Sequence, residues 1–128
     1  MQEHHLFEYA VIRIVPRVER EEFLNVGVIL YCKPLQFLQT MFTVDEERLK
    51  IFAGYLDMAA LCEHLNVFDK ICNGDIAAGE IAKLDMASRF RWLTATRSTI
   101  VQTSKTHPGL CSNAKETLTK LHAQLVLT

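Results

Sequence analysis

From Leu6 to Val15 the chain reads LFEYAVIRIV, a run dominated by β-branched and aromatic residues until Pro16 stops it. Such a run predicts a strand. The charged segment PRVEREE follows, and FLNVGVILYC (23–32), which ends before Pro34, predicts a second strand. LQFLQTMFTV (35–44) predicts a third. Connections this short imply an antiparallel meander, which needs a cover on one face.

Helical periodicity takes over next. Thr43, with Glu46 three residues on, fits a capping box opening a short helix through Phe52. Met58, Leu61, Leu65, Phe68 and Cys72 then recur at spacings of three and four, the apolar stripe of an amphipathic helix that Asn73-Gly74 terminates. DIAAGEIAKLDMASRFRWL is weakly helical with a glycine interruption. STIVQTSK predicts a fourth strand, which His107-Pro108-Gly109 is expected to break. Asn113 can cap a last helix carrying Leu118, Leu121 and Leu125 on one face. The order predicts an α+β fold: an antiparallel sheet of about four strands with helices packed on one face.

The 128 residues carry no repeat, low-complexity tract or linker, so residues 1–128 are expected to form a single domain. With 49% hydrophobic and 23% charged residues, the chain is unlike a disordered one. No apolar run approaches the ~20 residues that span a bilayer. The start, MQEHHLFEY, lacks the basic-then-apolar order of an export signal, so a cytoplasmic location is expected. Cys32, Cys62, Cys72 and Cys111 include no CxxC pair, which removes zinc-ribbon and thioredoxin readings and leaves four reduced thiols as the expectation.

The net charge of -1 conceals an asymmetry. Residues 1–75 hold 7 Lys/Arg against 12 Asp/Glu, whereas residues 76–128 hold 7 against 3. No carboxylate lies between Asp85 and Glu116, a gap that contains Arg89, Arg91, Arg97, Lys105 and Lys115. The basic half either pairs with the acidic half within the fold or presents a surface to an anionic partner.

Two segments, YAVIRIVPRVEREEFLNVGVILYC (9–32) and SRFRWLTATRSTIVQTSKTHPGLC (88–111), resemble a family of small bacterial proteins catalogued as domain of unknown function 3037. The resemblance spans nearly the whole chain and brings no activity, cofactor or catalytic residue with it. It does imply a partner, because genes of the family often stand beside one for a kinase-type protein similar to the HipA toxin fold.

Candidate chemistry is concentrated in RFRWLTATRSTIVQTSK (89–105). Arg89, Arg91 and Arg97, with Ser98, Thr99, Lys105 and His107, supply guanidinium forks, hydroxyls and a cation suited to phosphate, carboxylate or a protein partner. Arginine beside Phe90 and Trp92 also suits base stacking. The competing reading has these arginines paired with Glu19, Glu21 or Glu22 and the aromatics in the core. In the second strand, simple alternation puts Asn25 and Gly27 on one face, where Gly27 marks either a bulge or close packing of a helix, or else a floor for a ligand or partner. Cys62 and His64 are a poor metal pair, because i and i+2 diverge on a helix.

No nucleophile elbow, phosphate-binding loop, HExxH or paired-carboxylate motif is present, and no cofactor or metal is implied. The leading expectation is therefore a cytosolic protein-partner module rather than an enzyme. The alternatives are a nucleotide, phosphate or nucleic-acid binder using Arg89 to Arg97, or a small hydrolase or nuclease with His107 as base. The pI of about 6.5 argues against a strong non-specific nucleic-acid binder.

Overall fold

The computed structural model describes residues 3–97 and 99–127. Strand β1 (His5–Ile14) lies inside the sheet and is paired along both sides. On one side it meets β2 (Leu24–Cys32), in register from Glu8↔Tyr31 to Ile14↔Leu24, and β2 meets the edge strand β3 (Phe37–Phe42). On the other side, two short strands share one position. These are β4 (Val101–Thr103), opposite Ile12 to Ile14, and β5 (His107–Cys111), opposite His5 to Tyr9. All pairings are antiparallel, so five strands fill four places, in line with the sequence expectation for the fold class.

The His107-Pro108-Gly109 segment, expected to break a strand, is itself the start of β5. Proline is tolerated at a sheet edge, where its missing N–H is not needed by a neighbour. Gly109 leaves room for the Phe7 ring: a Cβ there would lie 2.5 Å from Phe7 Cζ. The register shifts by one residue between β4 and β5. Ser104 bridges the shift, its amide donating to Val11 O and its Oγ accepting from Val11 N at 2.8 Å.

Among the described residues, four α-helices complete the fold. Helix α1 (Glu46–Ala53) is capped by Asp45, whose carboxylate accepts from Arg48 N, and not by Thr43 as the capping-box pattern implied. Thr43 turns instead toward the last helix, its Oγ1 2.9 Å from His122 Nε2. Helix α2 (Met58–Cys72) ends where expected, at a Gly74 with φ of 73°. Two short 3-10 turns split at Gly79 lead into α3 (Met86–Leu93), and Asn113 caps α4 (Ala114–Leu125) by accepting from Glu116 N.

The helices are not confined to one face. Ala10, Ile12 and Ile29 pack under Leu61, Leu65 and Phe68 of α2 and Phe90 and Leu93 of α3. Their strand neighbours Phe7, Val28 and Leu30 point the other way and are covered by α4, through Ala114 and Leu118, with Val126 just beyond it. The sequence showed α4 as amphipathic but not which side it takes, because the connection from β5 is short and permits either.

One extra residue in β2 corrects the alternation read from sequence. Ile12 pairs with Gly27 but Arg13 pairs with Asn25, leaving Val26 as a bulge. Asn25 therefore shares the α4 face with Arg13, while Gly27 stands on the opposite face beneath Phe42. A Cβ on Gly27 would come within 2.6 Å of Phe42 Cδ1 and 2.9 Å of the Met41 carbonyl. The bulge is there, one residue earlier at Val26, the close contact comes from Phe42 and Met41 of β3 rather than from a helix, and Gly27 is buried rather than an open floor.

Candidate functional site

The stripe that binds α2 to the sheet is narrower than the apolar arc of the helix. Val67 and Ile71 widen it toward α3, and Val67 remains 41% exposed. Beside it, at the C-terminal end of α3, Trp92 is also 39% exposed. Between them runs an open groove of about 440 Å³, floored by Ala60, His64, Val67 and Ile71 and walled by Trp92, Arg97, Thr99 and Val101. Its volume is in the range of binding clefts, and its lining is mainly apolar.

Arg97 is the polar landmark of this groove. Its guanidinium lies 3.9 Å from the centroid of the Trp92 ring and donates through Nη2 to the Trp92 carbonyl. Half-buried there, it has its pKa lowered by desolvation. Among the described residues no carboxylate lies within 4 Å of it. Cation–π contact of this kind adds about 0.5–1 kcal/mol at exposed sites and leaves the cation's remaining donors open.

The other candidate arginines go elsewhere. Arg89 folds back across Gly74 and donates through Nη1 to Leu84 O at 2.6 Å, placing its charge at the C-terminal end of α2, where carbonyls favour a cation. Arg91 is exposed on α3. The Asp85 carboxyl is held below its usual range chiefly by the Ser88 side chain, and Arg91 adds to the effect. Thus the three arginines face three ways, and among the described residues none forms an ion pair with Glu19, Glu21 or Glu22.

Thr99 donates to Val101 O at 2.7 Å and stands in the groove wall. Ser98 lies outside the described residues. Lys105 is exposed beyond the Ser104 bulge, and the His107 ring lies 5.3 Å from that of Tyr9 on the α4 face. Asn25 donates through Nδ2 to Leu125 O at 3.1 Å, tying β2 to the end of α4. The structure therefore brings Arg97 and Thr99 into one site and disperses the rest. Val67 and Ile71 were missed by sequence reasoning, although an apolar arc wider than one stripe was the signal for them.

A second cleft, about 300 Å³, lies between the β1–β2 connection and α1. Arg17 stands 5.3 Å over the Tyr55 ring there, but Arg20 is already paired with Glu22, which also lines the cleft. Its charge is largely spent internally.

The thiols offer little chemistry. Cys32, Cys72 and Cys111 are buried, and burial with Asp69 nearby pushes the Cys72 thiol up to about 12. A thiol so protonated is a poor nucleophile. Among the described residues no three His, Cys, Asp or Glu side chains are grouped to hold a metal ion. No helix among them is long and apolar enough to cross a membrane.

An antiparallel sheet with helices on both faces and an open apolar groove at one edge defines a small α+β domain. The chain belongs to the family described as protein of unknown function (DUF3037), whose sequence model matches residues 9–126. No curated protein and no solved structure matches it.

Proposed function

We propose that this protein is a cytoplasmic binding module that engages another protein through the groove between α2 and the α3–β4 segment. The observation that supports this most directly is the pairing of an open apolar floor with an arginine that has no carboxylate partner among the described residues. Exposed aromatic and arginine side chains at the rim of an apolar depression are the usual anchors of protein interfaces. The kinase-type protein implied by the family resemblance is the first partner to test.

The nucleotide or nucleic-acid reading gains nothing from three arginines that face apart, and the hydrolase reading gains nothing from a His107 ring tilted against Tyr9. Val67→Arg would place a long charged side chain across the groove floor without entering the core. Calorimetric titration with the kinase-type neighbour should show binding by the wild-type protein and at least a tenfold loss in this variant. Its unfolding free energy should stay within about 0.5 kcal/mol, as at most surface positions. Undiminished binding by Val67→Arg would remove the groove from the interface.

A further inference from the structure

Resting on the partner-module reading, we infer that the groove receives an amphipathic helix whose apolar stripe is flanked by a side-chain carboxylate that pairs with Arg97. The first argument is shape. The floor is one side of α2 from Ala60 to Ile71, roughly 16 Å along the helix axis at 1.5 Å per residue. Side chains spaced three and four apart form ridges with grooves between them, and another helix fits these at the commonest packing angles.

The second argument excludes the main alternative, an added strand. The sheet edge beside the groove is β4, three residues long. One of its few backbone acceptors is already engaged, Thr99 Oγ1 donating to Val101 O, and the Gln102 side chain turns back to Thr99 O at 2.8 Å. Strand addition draws its affinity from free backbone groups along an edge. Little is left here for a strand to use.

The third argument is charge. Arg97 is half-buried against Trp92, with one nitrogen on a backbone carbonyl and no carboxylate within 4 Å among the described residues. An occupant that covers the groove removes water from this guanidinium, so a neutral occupant would strand a cation. A carboxylate restores its hydrogen bonding with the fork geometry that arginine favours. Glu63 lines the groove from α2, so the acid belongs toward the Arg97 side of the occupant rather than along its whole length.

Trp92 is the single tryptophan of the chain and lines the groove, so its emission reports occupancy directly. The probe is a panel of stapled helical peptides of about four turns, with Leu, Ile or Phe along one stripe and one flanking Glu, each matched by a Gln version. We expect saturable shifts in Trp92 emission with the Glu peptides and about tenfold weaker binding of their Gln counterparts. That difference should vanish in Arg97→Gln and partly survive in Arg97→Lys. If Arg97→Gln proves unstable by thermal melting, the Glu against Gln comparison on the wild-type protein carries the test alone. Equal binding of both versions would overturn the carboxylate pairing. Absence of any peptide binding would overturn the helical occupant. If the kinase-type neighbour still binds in a Val67-dependent way, the partner-module reading stands without it.

Discussion

The two faces of the sheet are closed by different means. On one, three helices share a large apolar core built on Ile12, Ile29, Leu65 and Phe90, with polar ties only at its margins, from Thr40 to Asp69 and from Thr103 to Thr94 O. On the other, α4 alone covers a smaller cluster and is tied in place by polar contacts, from Asn25 to Leu125 O and from Thr43 to His122. A single helix cannot define its own position by packing against helical neighbours, so directional bonds do it. Helices α2 and α3 pack against each other and leave an opening where their contours diverge. The groove is that opening.

The comparison is broken most severely from the apolar side. Leu65, 5% exposed in the middle of the α2 stripe, should cost about 2–5 kcal/mol when changed to Ala, read from denaturant melts. Gly27→Ala tests the same face from beneath, since its new methyl group would meet both the Phe42 ring and the Met41 carbonyl. Because the carbonyl cannot swing aside as a ring can, a loss of about 1–3 kcal/mol is expected. An unchanged melt for either variant would contradict the packing described for this face.

The polar side should respond more gently. Asn25→Ala removes the tie to Leu125 O, and about 0.5–1.5 kcal/mol should be lost, with faster amide exchange confined to the end of α4. Exchange rising equally in α2 would show that the two faces are not independent. The mildest probe is acid. Burial lowers the pKa of His122 below its ordinary value of about 6.5, so the unfolded chain takes up the proton more readily. The stability contributed by neutral His122 is therefore present above that value and is lost as pH falls below it. His122→Gln, which can still reach Thr43, should flatten the melting temperature between pH 7 and 5 relative to wild type. Parallel pH curves would remove His122 as the cause.

Much of this was legible in the sequence because local pattern determines it. β1, β2, β3, the α2 stripe, the Gly74 stop and the Asn113 cap each depend on residues within a few positions. What failed depended on partners far along the chain. His107-Pro108-Gly109 reads as a breaker until Phe7, about a hundred residues away, is seen to need the space above Gly109. Alternation puts Asn25 beside Gly27 only while the strand is regular, and the Val26 bulge is set by pairing to β1. Within the candidate site, Arg97 and Thr99 stood out as residue types. The floor from α2 did not, because a wide apolar arc reads as core until the neighbouring helix is placed.

The position of β1 also sets the order in which the chain can mature. Its pairing with β2 closes through a short hairpin, whereas its other side waits for residues 101–111, as the Val11–Ser104 bond shows across 93 positions. Closing so long a loop has little effect on final stability but slows the step that completes the sheet. During synthesis, β1 is therefore half-paired until residues 101–111 have emerged. A nascent chain stalled before Val101 should be protease-sensitive throughout, and one extended past α4 should become resistant in a single step.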